Sequence, residues 1–413
     1  YLIKTTGSGI MQVYTDGSTP QTSGLLGTAK VYSGVSVTSL ANIGIEDNDL
    51  VLTATGNIVP GTHAGTTLPE QTKSIAETRA GGNAFLNGGA DLLAGQGIAA
   101  AVNATQAPGD AGSAPGGSTG SSEGQPAAGG GDGDRIAQAA SGSANRAHYT
   151  VYVPFAATGA NSMRYHTGSY VDSHGWNATL GFARALARGN RTLTVGPLVE
   201  YGRSRYDSYL DDGIHGSGNT RYFGAGIMAR EDLTNGVYYE GSLRAGRIHS
   251  DYDGLLHAGG DSTAALLSTH YAVDSTYYAM HLGLGRVQKL SRDNSLDVYA
   301  KYFFSHEGCA SSQLSTGETY DFDSVNSQRL RLGTRFSHQV NPRAAFYAGL
   351  ALEYEFDAES RAAYKGMSTP SPSMKGASGM LELGWRMKPS AHSPLTIDIG
   401  ASGWTGKQQG VTM

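Results

Sequence analysis

The spacing Gly116-Gly117-Ser118-Thr119-Gly120 is that of a serine nucleophile elbow, which needs a strand, a sharp turn and a helix to expose its hydroxyl. Here it lies in a low-complexity stretch, and the match is read as chance. Gly224-Ala225-Gly226-Ile227-Met228-Ala229 has dinucleotide-binding spacing, but that motif must follow a strand and open a helix. These residues sit inside a period-two strand pattern instead. The 12 histidines show no metal-ligand spacing, and His281 reads as a solvated pore residue. The single cysteine, Cys309, excludes an intrachain disulfide and reads as a spectator thiol in a loop. No metal and no cofactor are expected.

The charged residues are more informative, because they alternate with apolar ones. Between 325 and 341, Leu330, Leu332, Thr334 and Phe336 share one face, and Arg329, Arg331 and Arg335 the other. The next segment puts Glu353 and Glu355 on the matching face, opposite Phe346, Ala348, Leu350, Leu352 and Tyr354. After it, Glu382 and Arg386 oppose Leu381, Leu383, Trp385 and Met387. Earlier segments repeat the scheme with Glu200, then Glu240 and Arg244, then Asp297 and Lys301. An arginine row facing lipid would cost about 2–4 kcal/mol per residue near the midplane. Turned into a lumen, the arginines meet carboxylates and water. The charged set is therefore read as lining a transmembrane β-barrel, and the apolar faces as meeting lipid.

Bulk composition agrees. Mean hydropathy is -0.29, and no run of 18 apolar residues is long enough for a membrane-spanning helix. A spanning barrel alternates, so its average hydropathy stays modest. The 59 glycines and 23 tyrosines fit close backbone approaches and interfacial aromatics. Net charge is -5 and no basic patch stands out, so nucleic acid is not an expected partner.

The elements follow. Residues 1–66 hold short strand-like runs and read as a β-rich, solenoid-like segment. Residues 67–105 form a helix with Pro69 in its first turn. Six glycines inside it, each costing up to about 1 kcal/mol, call for a wall around it. Residues 106–146 are a Gly/Ser/Pro-rich linker. Residues 147–413 carry about twelve strands of about 9–11 residues, as a tilted membrane strand needs. Short turns alternate with long polar loops, placed around 158–174, 206–218, 250–274, 306–325 and 357–376, as in outer-membrane barrels. Glycines recur on the inward face at Gly181, Gly196, Gly226, Gly246, Gly283, Gly333, Gly349, Gly384 and Gly400, and are read as room kept for the helix.

At this point the chain resembles the autotransporter family of type V secretion proteins. GGNAFLNGGADLLAGQG at 81–97 resembles the family's helix before the barrel. RYHTGSYVDSHGWNATLGF at 164–182 resembles its first hairpin, and GPLVEYG (196–202), GAG (224–226) and YYEGSLRAG (238–246) its recurring strands. The resemblance implies a translocator that anchors and exports its own N-terminal passenger to the cell surface. It also implies an outer-membrane location, folding by barrel assembly machinery with periplasmic chaperones, and a monomer. Two departures stand out. The family's last strand ends in an aromatic, whereas this chain ends Gly410-Val411-Thr412-Met413, so that strand is expected to be truncated. The linker is longer than usual, and with no signal peptide at Tyr1, residues upstream are expected. Some members cut their passenger inside the barrel with a helix asparagine and a lumen acid. Carried over, that would pair Asn83 or Asn87 with Glu200 or Glu240. The preferred expectation is that these groups only hydrogen-bond helix to wall, and no enzyme is expected. A passive porin, or a surface adhesin with its adhesive part mostly absent, are the alternatives.

Overall fold

The computed structural model describes residues 2–5, 11–14, 20–21, 24–46, 49–58, 67–106, 152–390 and 395–413. The linker expected over 106–146 falls outside them except for Gln106. Twelve antiparallel strands close into a barrel. They are β1 (Val153–His166), β2 (Tyr170–Arg188), β3 (Arg191–Tyr209), β4 (His215–Leu233), β5 (Val237–His257) and β6 (Leu266–Lys289). Then come β7 (Asn294–Glu307), β8 (Val325–Asn341), β9 (Ala344–Glu355), β10 (Gly376–Met387), β11 (Ile397–Gly406) and β12 (Gln408–Thr412). Each pairs with its sequence neighbours, and β12 pairs with β1 from Gln408↔Tyr165 to Thr412↔Asn161. This closure covers only the upper part of β1. Met413 and Ala160 add a reciprocal pair of backbone bonds at 2.8 Å.

Alternation decides which face meets lipid. Leu332, Leu350 and Leu352 are 54%, 62% and 73% exposed, whereas Arg329, Arg331 and Glu353 between them are buried. A soluble sheet with such a surface would aggregate; an apolar band around a closed barrel is what a bilayer solvates.

The expected strand lengths and loops need correction. Strands β2 to β6 run 19 to 24 residues, about 60 Å or more at about 3.3 Å per residue, well beyond an about 30 Å hydrocarbon core even when tilted. The polar residues around 158–174, 206–218 and 250–274 are mostly strand rather than loop. Their connections shrink to residues 167–169, 210–214 and 258–265. The polarity marks where strands leave the membrane, since backbone pairing continues in water as well as in lipid. Over β7 to β10 the extra height comes instead from a separate four-stranded sheet, Ala310–Gln313, Thr319–Phe322, Ala362–Tyr364 and Met367–Ser368.

The interior helix starts as a 3-10 turn (Glu70–Thr72) and continues as α1 (Lys73–Leu92). A π turn (Leu93–Gly97) leads into α2 (Ile98–Thr105). Its first turn lies at the end with the extra sheet, where Leu68 N–H bonds the Ser368 carbonyl at 2.8 Å. Its last turn lies at the short-turn end, where Ile98, Ala101 and Val102 pack with Phe155, Ala183, Leu198 and Met228. The N-terminal strands form two antiparallel three-stranded sheets. The second of them, Gly24–Ser33, Val37–Glu46 and Asp49–Ile58, rests on the barrel rim through the turn Gly34-Val35-Ser36. Glu318 Oε1 accepts from Val35 N–H at 2.6 Å and from the Ser36 hydroxyl at 2.7 Å, and Lys30 pairs with Asp261.

Candidate functional site: the occupied pore

A helix this rich in glycine is weak by itself, and the wall holds it along its length. Near the top, Glu77 is fully buried and accepts hydrogen bonds from Thr167 and Ser169, both at 2.6 Å, and from Ser208. Two residues on, Arg79 donates to Ser275 and to the Gly308 carbonyl, both at 2.5 Å, and pairs with buried Glu307 at 3.3 Å. At mid-height Asn87 donates to Ser327 and accepts from Ser305, both at 2.9 Å. Below it Asp91 meets two guanidinium groups, Arg331 at 2.8 Å and Arg329 at 3.1 Å. Glu353 binds the same two at 2.6 and 3.2 Å. Two cations and two carboxylates thus cancel in a site closed by Phe303 and Trp404. In the π turn, Lys301 donates to the Ala94 carbonyl at 2.6 Å. The free space beside Asn87, Asp91, Trp404 and Gln408 is about 50 Å³, room for a few waters.

The remaining charged residues are brought together wall to wall. Arg244 pairs with Glu200 at 2.6 Å, and Tyr277 donates to the same carboxylate at 2.7 Å. Glu240 meets Lys301 at 2.7 Å and Arg230 at 3.0 Å. Arg335 pairs with Glu382 at 2.7 Å and Arg386 with Asp398 at 2.8 Å. Tyr238 donates to Asp297 at 3.0 Å, and Ser327 to Glu355 at 2.5 Å. Sequence reading missed Arg230, Glu307 and Asp398. Inward parity at strand ends was the signal for Glu307 and Asp398. Arg230 follows the GAG run of β4 at an inward position too.

Asn83 and Asn87 do not meet Glu200 or Glu240. Both acids are held by wall cations, and Asn83 Oδ1 only accepts from Asn87 at 3.3 Å. His281 is not solvated. It is 1% exposed and stacked on Phe303 at 5.1 Å; among the described residues neither ring nitrogen has a hydrogen-bond partner, and Glu240 stands 3.5 Å from Nε2. Burial beside Phe303 and Glu240, at the level of Arg329, removes the water that sequence reading supplied.

The inward glycines also do a different job from the one expected. A Cβ on Gly384 would lie 2.1 Å from the Tyr347 ring, on Gly333 2.5 Å from Tyr299, on Gly246 2.8 Å from Tyr277 and on Gly181 2.6 Å from Phe155. On Gly283 and Gly349 it would meet Glu240 and Glu382, and on Gly196 and Gly226 the carbonyls of Phe182 and Leu243. Of the nine, only Gly400 has a helix atom, Gln96 Nε2 at 3.4 Å, among its nearest neighbours. Gly181, Gly246, Gly333 and Gly384 make room for aromatic rings of adjacent strands, and Gly196, Gly226, Gly283 and Gly349 for wall carboxylates and backbone. The tyrosine excess accordingly belongs largely to the interior: Tyr206, Tyr222, Tyr238, Tyr252 and Tyr277 are each at most 2% exposed.

A closed twelve-stranded barrel with an apolar exterior, charged interior and axial helix defines an outer-membrane barrel whose pore is occupied by its own chain. The autotransporter β-domain family profile matches residues 154–400, and the chain belongs to that family. Among solved structures it is similar to the β-domain of the Bordetella autotransporter BrkA, at 16% identity and TM-score 0.50, covering 63% of this chain and 96% of that one. It is also similar to the translocator domain of NalP from Neisseria meningitidis (16% identity, TM-score 0.46, 64% and 89% covered). A third is the transport unit of AIDA-I from Escherichia coli (12% identity, TM-score 0.45, 68% and 94% covered). At these identities the likeness to BrkA speaks for the fold alone. No curated protein sequence matches the chain.

Proposed function

We propose that this translocator leaves its N-terminal segment at the cell surface, with the helix as the last piece of that segment still in the pore. The path of the chain carries the reading. The rim-bound strands Gly24–Ile58 lie at one end of the barrel, Glu70 enters there, and Thr105 and Val153 both lie at the other end. A chain drawn through from the short-turn side and stopped by Asp91 and Arg79 would adopt this path. Assembly machinery and periplasmic chaperones would act on the strands, and lipid would solvate the exterior of a single-chain barrel. Asn87 serves as an anchor in this reading, because Ser305 and Ser327 occupy its amide; Asn83 touches only Asn87 on the same helix. The activity of the exported part is a property of that part, and the barrel contributes no catalysis.

The test is labelling of intact cells with a membrane-impermeant maleimide, in a Cys309→Ser background. Val31→Cys, 44% exposed on the rim-bound sheet, is expected to react, and Val340→Cys, 51% exposed at the short-turn end, only after lysis. The reverse pattern would refute the orientation.

A further inference from the structure

Above the lipid-facing band, on one side only, the outer wall turns basic. On β3 the outward series runs Val199, Tyr201, Arg203, Arg205; on β4, Ile227, Ala225, Phe223, Arg221; on β5, Leu243, Ala245, Arg247, His249. The register sets these side by side. Arg203 faces Arg221 directly, Arg221 faces His249 and Phe223 faces Arg247, and His174 of β2 faces Arg205. Immediately below lies an aromatic step, Trp176 against Tyr201 at 5.3 Å with Phe223 61% exposed. Such rings mark the headgroup level.

Cations directly opposite on antiparallel strands, with Cα atoms about 4.5–5.5 Å apart, destabilise the pair. The wall relieves this elsewhere: Arg164, at similar height on β1, is clasped by Asp172 at 2.7 and 2.8 Å. Among the described residues no carboxylate pairs with Arg203, Arg221 or Arg247, and Arg205 reaches Asp207 only at 3.6 Å. On the opposite side, the outward residues at this height on β7 and β8 are Phe304, His306, Gln328 and Asn326, with no arginine or lysine. Asp274 holds His249 at 2.9 Å, which leaves Arg203, Arg221 and Arg247 without a carboxylate partner among the described residues, at the height where a bilayer offers headgroups.

We propose that Arg203, Arg221 and Arg247, flanked by Arg205, form a binding site for the phosphorylated glycolipid of the outer leaflet, lipopolysaccharide, through its lipid A phosphates. Planar guanidinium forks bind phosphate in a bidentate manner, and two adjacent forks match a doubly charged group. The acyl chains lie along Phe223, Ile227 and Leu243, each exposed by more than half. The proposal rests on the orientation given above, since that places this end in the outer leaflet.

The experiment uses the full chain in detergent micelles, titrated with purified bis-phosphorylated lipid A. Bound lipid is read by native mass spectrometry and by the shift in thermal unfolding. The wild type is expected to retain lipid A and unfold at higher temperature. Arg203→Gln/Arg221→Gln/Arg247→Gln is expected to bind at least about tenfold more weakly, the loss of one charge-assisted contact or more, while unfolding without lipid at no lower a temperature than the wild type, since the cation repulsion is gone. Lipid A stripped of phosphate should fail to compete. Equal binding by wild type and triple variant, equal binding of dephosphorylated lipid A, or stronger binding of phosphatidylglycerol would overturn the site. If the triple variant misfolds, phosphate competition on the wild type still decides. The maleimide labelling of Val31→Cys separates the two claims: failure there with phosphate-dependent lipid A binding intact rejects the orientation and leaves the site.

Discussion

Asp91→Asn is the substitution that weighs the hold on the helix most directly. Asp91 and Glu353 together balance Arg329 and Arg331, at 2.6 to 3.2 Å. The variant leaves one net positive charge in a site where both arginines are at most 7% exposed. Removing one partner of a buried ion pair costs about 3–5 kcal/mol. Asp91 itself is 23% exposed, so water takes up part of the loss and about 2–3 kcal/mol is the working figure. If the helix leaves its seat in a two-state step, that raises the unplugged-to-plugged ratio about 30- to 150-fold. Single-channel recording in planar bilayers reads this as open probability. Arg331→Gln in the same background should give back part of the effect, with a coupling of about 1 kcal/mol or more in the cycle. An Asp91→Asn channel as quiet as the wild type, with additive behaviour in the cycle, would show that the ion network does not hold the helix.

Other outcomes test the wall. Gly384→Val drives a side chain into the Tyr347 ring, 2.1 Å from the Cβ position, and breaks the Tyr347–Asp398 bond of 2.8 Å; overpacking of this kind costs about 1–3 kcal/mol and should lower the unfolding temperature in detergent. Leu350→Arg, on a residue 62% exposed to lipid, should cost about 2–4 kcal/mol and block insertion into vesicles, whereas Leu350→Phe should insert normally. At the rim, outside the membrane, hydrogen bonds from Lys30 and Thr263 hold the Asp261 carboxyl well below the usual carboxylate range. A depressed folded value means the stabilisation is complete above the unfolded value of about 4 and is lost only as pH falls through the lower folded one. Hydrogen exchange of the strand Gly24–Ser33 should therefore lose no protection from this contact between pH 8 and 5, and loosen in stronger acid. Asp261→Asn should show the loosened state already at pH 7; unchanged protection in that variant would detach the rim contact from Asp261.

The barrel was legible in the sequence because lipid and lumen impose opposite demands on successive residues. The run from Arg329 to Phe336 alternates charge with hydrocarbon, and no soluble sheet needs that. Glycine and alanine in 80–97 likewise marked a helix that must be enclosed. Strand ends were not legible, since backbone pairing carries on past the bilayer and only hydropathy changes at its surface; β5 accordingly runs to His257 through residues that look like a loop. Partners across the barrel were not legible either. Parity gives a side chain's face, but the stagger of strands and the rotation of the helix decide that Asp91 meets Arg329 and Arg331, that Glu200 goes to Arg244, and that Asn87 finds serines. The glycines show the same division. Sequence placed Gly246 and Gly384 on the inner face, and register alone put Tyr277 and Tyr347 over them. The basic patch was hidden for the same reason: Arg203, Arg221 and Arg247 are about twenty residues apart in the chain, one per strand, and become neighbours only when hydrogen bonding fixes β3, β4 and β5 side by side.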